Sequence, residues 1–246
     1  MDDLHFMTDQ DMIRRIAGYT QPGDTVLEIG GGHGELTAAL QQRARRVIVI
    51  EKRQDLARGL QARFAGNPRV TVIAGNALRE IRHVRFDALI ANLPYAISEP
   101  LFRLLPGLDF REAVVTLPAG FAEKLQALPY AAWFAAEVVA DVPKTAFSPS
   151  PRTRSVLVQA TPRTTVLGAV LLQKRSKVKN AIREALQSAT KRQGRALVAD
   201  LGLGRLADLQ VSNLGPADIA TLAQLLESVG PPAAGRRPTF KYGREQ

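Results

Sequence analysis

The sequence predicts an α/β fold built on a parallel sheet, with a smaller helical region after it. Short apolar runs alternate with segments of helical periodicity as far as Ala160, and strand-like runs stop after Pro162. Such alternation favours parallel strands, because each crossover helix returns the chain in the same direction and covers one face of the sheet. A cluster of glycines, Gly30-Gly31-Gly32-His33-Gly34, lies where the first strand meets its helix.

Taken in order, residues 9–18 place Met12, Ile13, Ile16 and Ala17 at helical spacing, and Gln21-Pro22-Gly23-Asp24 then turns the chain. Residues 25–29 form the first strand, and a helix over 35–43 follows the glycines. A second strand, 47–50, ends in Glu51; a third, 70–73, ends near Gly75 and Asn76; a fourth, 86–91, ends in Asn92-Leu93-Pro94-Tyr95. Residues 113–117 and 155–160 read as later strands, with a helix over 131–139 between them. Beyond Pro162, Leu171, Val178, Ile182, Ala185 and Ala189 recur at helical intervals, and 214–229 is a further amphipathic helix with Pro216 in its first turn. The expected domains are 1–163 for the sheet, 164–230 for the helices, and a mobile basic tail at 231–246 that is rich in Pro, Gly and Arg.

Composition narrows the function. A chain of 246 residues, 46% apolar, can fill one α/β core and a small appendage. It contains no apolar run long enough to span a membrane, and its first residues lack the pattern of a signal peptide, so a cytoplasmic protein is expected, read here as a monomer. With no cysteine, and with His5, His33 and His83 scattered, no metal is expected. The net charge of +10 points to a polyanionic partner. It concentrates in Lys174, Arg175, Lys177, Lys179, Arg183, Lys191, Arg192 and Arg195, with Glu184 as the only acid among them. Alone, that stretch would be an ordinary solvated helix face.

The chemistry begins at the glycine loop. Gly30, Gly32 and Gly34 allow a ligand close to the backbone, but a dinucleotide fingerprint would need glycine at position 35, which is Glu35. Glu28 before the loop suits a cationic ligand better than a pyrophosphate. Glu51, about twenty residues on, can accept from both hydroxyls of a ribose. The Asn76 oxygen can accept from the amino group of an adenine. In Asn92-Leu93-Pro94-Tyr95, the Asn92 oxygen and a Leu93 or Pro94 carbonyl can accept the two protons of an aromatic amine, while Tyr95 stacks on its ring. Fixing both N–H bonds directs the amine lone pair outward for attack. Phe147-Ser148-Pro149-Ser150-Pro151 can supply a second aromatic face opposite Tyr95, with Arg152 and Arg154 for phosphates.

These residues, together with His5-Phe6-Met7, resemble ribosomal RNA adenine dimethyltransferases in type and order. Lys174-Arg175-Ser176-Lys177-Val178-Lys179-Asn180 and the stretch around Leu214 resemble the small helical C-terminal domain of that family. The resemblance implies a Rossmann-like seven-stranded mixed sheet of the class I methyltransferase kind, S-adenosylmethionine as cofactor, and ribosomal RNA or an immature small ribosomal subunit as partner. It places His5, Met7, Gly30, Gly32, Glu51, Asn76 and Asn92 on the cofactor. Asn92, Leu93, Pro94, Tyr95 and Phe147 go to the base pocket, and the basic residues to RNA. Two adjacent adenines near the 3′ end of small-subunit RNA would be the target. The chain departs from the family in three places: Met1-Asp2-Asp3-Leu4 where a basic arm is usual, Asn76 where aspartate is usual, and a shortened 118–130 stretch. A large-subunit adenine methylase of the macrolide-resistance type and a non-catalytic RNA-binding assembly factor remain as alternative readings.

Overall fold

The computed structural model describes residues 5–186, 196, 198–227 and 229. The chain divides into two compact units, Met1–Lys124 with Ala136–Pro162, and Leu125–Ala135 with Arg163–Gln246. Residues 1–4, Ala189, Lys191, Arg192, Arg195 and the 231–246 tail lie outside the described residues.

The first unit holds β1 (Phe6–Met7), α1 (Gln10–Ala17), β2 (Thr25–Ile29), α2 (Glu35–Leu40), β3 (Arg46–Glu51), α3 (Gln54–Arg63), β4 (Val70–Ala74), α4 (Ala77–Glu80), β5 (Ala88–Asn92), α5 (Ser98–Leu104), β6 (Glu112–Pro118), α6 (Ala119–Leu125), β7 (Phe134–Val142), β8 (Phe147–Ser148) and β9 (Ser155–Pro162), the ends of α6 and β7 reaching into the second unit. Seven strands form one sheet in the order β4-β3-β2-β5-β6-β9-β7. β2 pairs in parallel with β3 and β5, and β5 with β6, whereas β9 runs antiparallel to β6, so the sheet is mixed. The strand order reverses at β2, with β3 on one side and β5 on the other. In open α/β sheets a ligand crevice forms at such a switch, beyond the carboxyl ends of the strands.

Residue type explains the interior of the sheet. Val26, Leu27, Leu89 and Ile90 are wholly buried, as parallel strands covered on both faces require. Glu28 is the charged exception on β2. α1 starts at Asp9, whose carboxylate accepts from the Asp11 and Met12 amides at 2.9 Å each, and it buries Ile13, Ile16 and Ala17.

Two elements differ from the sequence expectation. The helix read over 131–139 is instead the edge strand β7. Its alanines suit a helix, but Val138, Val139 and Val142 favour extended backbone, and its half-covered faces blur the two-residue alternation that would mark a strand. The short β1–β8 pair, with Met7 opposite Phe147, is the second difference: strands of two residues leave no periodicity to read.

The second unit is helical, with α7 (Val166–Leu172), α8 (Val178–Leu186) and α9 (Pro216–Leu226) packed on Val170, Val178, Ala181, Ile182 and Leu222. Leu125–Ala135, which the sequence placed with the sheet, belongs here. Trp133 Nε1 donates to the Gly168 carbonyl at 3.0 Å and Thr165 Oγ1 to the Ala132 carbonyl at 2.7 Å, tying the segment to the start of α7. Among the described residues no helix is long and apolar enough to cross a membrane.

Candidate active site

A cavity of about 380 Å³ opens at the carboxyl ends of β2, β3 and β5 and is lined by residues of the glycine loop, the 92–97 segment and the 5–7 segment. That volume lies in the ~300–1,000 Å³ range of small-molecule sites. His5, Met7, Gly30, Gly32, Glu51, Asn76 and Asn92, the residues assigned to the cofactor, all line it.

Local conformation accounts for the loop. Gly30 and Gly32 have φ of +77° and +55°, which side chains rarely adopt, and a Cβ on Gly32 would come within 3.0 Å of the Phe6 ring. The loop is fastened to β3: the Gly32 amide donates to Glu51 Oε2 at 3.2 Å, and the Arg53 amide to Glu51 Oε1 at 2.9 Å. Glu51, 5% exposed, therefore presents a fixed carboxylate to the cavity, with lone pairs left for a ligand.

Glu28 lines the same cavity and is 2% exposed. Burial pushes its carboxyl up to about 8; the Thr37 hydroxyl, donating to Glu28 Oε2 at 2.6 Å, opposes this, while the charges of Glu51 and Glu35 reinforce it. Asn76 caps α4, its Oδ1 accepting from the Leu78 amide at 3.0 Å. The oxygen expected to meet an adenine amine thus already holds one bond, and the amide nitrogen is the other group it offers.

Asn92 is held from two sides. Its Nδ2 donates to the His5 carbonyl at 3.0 Å, and its Oδ1 accepts from the Thr116 hydroxyl. The Pro94 carbonyl accepts from the Ile97 amide at 3.1 Å, which makes the Leu93 carbonyl the better second acceptor for an amine. Tyr95 lines the cavity with its hydroxyl paired to Ser155 Oγ, and its ring lies 5.8 Å from that of His5. Phe147 does not join them. It is 4% exposed, packs in the core with Met7, its partner in the β1–β8 pair, and lies outside the cavity lining.

The residues assigned to RNA are spread over both units. Arg154 is salt-bridged to Asp141 at 2.5 Å, and the Arg152 side chain is exposed. In the helical unit Lys174 and Arg175 are exposed, whereas Lys177 and Lys179 both reach Asp208, at 3.2 and 2.7 Å. Asp208 titrates below its ordinary range because Lys179 first, and then Lys177, stabilise its charge. Among the described residues no group of three His, Asp or Glu side chains could hold a metal ion.

Sequence reasoning missed Thr116 and Ser155. Thr116 is a hydroxyl amid Val114, Val115 and Leu117, Ser155 opens a strand that continues Val156-Leu157-Val158, and both are at most 1% exposed. It also missed Phe6 and His33, whose rings meet at 4.5 Å beside the glycine loop.

The likeness to known proteins agrees with this geometry. The family model "Ribosomal RNA adenine dimethylase" matches residues 2–188. A relative from Haloarcula marismortui, "Probable ribosomal RNA small subunit methyltransferase A", is 38% identical over 94% of this chain and 91% of its own. One of the same name from Methanococcoides burtonii is 30% identical over 91% and 92%. Among solved structures, a dimethyladenosine transferase from Plasmodium falciparum superposes with a TM-score of 0.63 at 24% identity, covering 89% of this chain and 96% of that one. The 23S rRNA methyltransferase ErmE does so with 0.60 at 22% identity, over 90% and 99%. These two share the fold, a class I methyltransferase sheet. Since a family model spanning most of the chain, full-length relatives and a cavity bounded by the glycine loop and Asn92-Leu93-Pro94-Tyr95 all coincide, the chain belongs to the ribosomal RNA adenine dimethylase family.

Proposed function

We propose that this rRNA adenine methyltransferase uses S-adenosylmethionine to dimethylate N6 of two adjacent adenines near the 3′ end of small-subunit rRNA, acting on the immature subunit in the cytoplasm. The observation that carries the reading is the convergence of Asn92, Leu93, Pro94 and Tyr95 with the glycine loop and two buried acids on one cavity.

The residues fit the cofactor. The Glu51 carboxylate suits a ligand bearing an ammonium and a sulfonium, whose charges would also draw the buried Glu28 carboxyl toward its ionised form, and the positive-φ glycines leave backbone exposed where a side chain would intrude. Glu51 would hold the ribose hydroxyls, and Asn76 and the glycine loop would flank the remainder. When bound, the cofactor supplies an electrophilic methyl group. Asn92 Oδ1 accepts one N–H of the adenine amine and the Leu93 carbonyl the other, which draws the nitrogen lone pair out of the ring. Tyr95 supports the base by stacking. The amine is neutral, so the displaced proton passes to water and no general base is required.

The test is transfer of labelled methyl groups to immature small subunits from cells lacking the gene, followed by mapping of modified adenines. Two adjacent dimethylated adenines are expected. Binding without transfer would instead identify an assembly factor, and modification of large-subunit RNA alone would move the target.

A further inference from the structure

We infer that Thr116 is a positioning residue for methyl transfer, holding the Asn92 amide in the rotation that turns its free oxygen lone pair toward the amine. The inference rests on the reading of Asn92 given above.

An asparagine amide turns freely about its last torsion, and its oxygen and nitrogen differ only in what they bond. At Asn92 the two ends are determined separately. The His5 carbonyl can only accept, so the atom 3.0 Å from it must be nitrogen. The opposite atom is then oxygen, and the Thr116 hydroxyl donates to it. That bond occupies one of two lone pairs and fixes the amide plane, so the other lone pair has a set direction before any substrate arrives. Such preorganisation lowers a barrier without adding a contact to the substrate.

Sheet register places the hydroxyl. Asn92 and Thr116 are Cα partners in the parallel β5–β6 pair, so Thr116 sits directly beside Asn92 on the strand that backs the cavity wall. It is wholly buried, between Val115 and Leu117, which are equally buried. Valine would fill the same volume in such a strand and suit it better, because a buried hydroxyl gains nothing without a partner. Asn92 is that partner. Ser155, near Thr116 on the adjoining strand, holds Tyr95 in the same manner, so strands β6 and β9 support the reactive tetrapeptide through hydroxyls.

The experiment compares Thr116→Val and Thr116→Ser with the unsubstituted enzyme in single-turnover transfer, alongside calorimetric affinity for S-adenosylhomocysteine. For Thr116→Val the rate constant should fall by about tenfold, with cofactor-analogue and RNA affinity changed less than about twofold. Thr116→Ser, which keeps the hydroxyl, should recover to within about threefold. Should the valine variant fail to fold, Thr116→Cys, whose thiol is a weak donor, takes its place with the same expectation. A rate unchanged in the variant lacking the hydroxyl, or a serine variant as slow as the valine one, would overturn the inference while leaving the function in place. Absence of transfer by the unsubstituted enzyme would remove both.

Discussion

The cavity of the sheet unit and the basic stretch of the helical unit handle charge in opposite ways. In the cavity, Glu28 and Glu51 are buried and each is held by named partners: Thr37 on Glu28, and the Gly32 and Arg53 amides on Glu51. In the helical unit Lys174, Arg175 and Lys177 are exposed and Lys179 is partly covered, and two of these, Lys177 and Lys179, are engaged by one acid, Asp208. Buried charge is constrained in position and protonation, so it speaks of a particular ligand. Exposed charge is screened and can be answered within the chain, so counting it overstates what is available to a partner.

The most direct way to break this contrast is at Asn92. Asn92→Ala removes an acceptor from the cavity wall and leaves both the Thr116 hydroxyl and the His5 carbonyl without their partner. Single-turnover transfer should fall by about 10²- to 10³-fold, equivalent to roughly 3–4 kcal/mol of barrier, with RNA affinity nearly unchanged because phosphate contacts dominate it. Near-normal turnover in a folded variant would show that the amine is held elsewhere.

Glu28 tests the cost of buried charge. Its carboxyl is raised to about 8 from an ordinary 4.5, so the folded protein retains a proton there that the unfolded chain has released. Stability attributable to this group is full below pH 4.5 and is lost as pH rises toward 8. Glu51 and Glu35, the charged groups that face it, act in the same direction. Glu28→Gln keeps an acceptor for Thr37 and removes the titration. At pH 7 it should be the more stable form by something on the order of 3 kcal/mol, with the difference vanishing near pH 4.5. Thermal midpoints measured across that range settle it, and parallel curves for the two proteins would show that Glu28 is ionised in the fold.

Glu51 sharpens the same point with a smaller effect. Glu51→Ala should weaken binding of S-adenosylhomocysteine by about 2–3 kcal/mol, through the lost charged acceptor and a glycine loop no longer tied to β3. Calorimetry showing unchanged affinity would take Glu51 out of the site.

How much of this could be read from the sequence follows the same division. The central strands are legible because both faces are covered, so β2, β3 and β5 are mostly apolar, with Glu28 as the charged exception between their ends. Their carboxyl-terminal residues then fell together by topology, which is why Glu51, Asn76 and Asn92, distant in sequence, line one cavity. β7 was not legible, because a half-covered edge strand carries no clean period. The sequence marks the Phe147 motif but not the β1–β8 pairing that sets this ring beside Met7 in the core. Thr116 left one faint mark, a hydroxyl amid Val114, Val115 and Leu117, whose meaning depends on register with Asn92. The basic stretch showed its sign but not its partner, since Asp208 lies 31 and 29 residues beyond Lys177 and Lys179.

That last separation yields the finest test, a comparison within the helical unit itself. Lys174 and Arg175 are exposed, while Lys177 and Lys179 share the charge of Asp208 before any phosphate arrives. Binding of RNA releases counterions in proportion to the phosphates neutralised, about 0.7 per contact for a single strand in the slope of log affinity against log salt. Replacing Lys174 and Arg175 by glutamine should therefore reduce that slope by as much as about 1.4. Replacing Lys177 and Lys179 should reduce it by less than about half that, because their ammonium groups are already answered. Exposed ion pairs are weak, so the difference will be modest and needs a titration over several salt concentrations. Asp208→Asn supplies the opposite sign: freeing both lysines should raise RNA affinity and steepen its salt dependence, while affinity for S-adenosylhomocysteine stays as it was. Equal slopes for the two lysine pairs, together with no response to Asp208→Asn, would show that RNA displaces Asp208 at no measurable cost, and the internal neutralisation would have no bearing on binding.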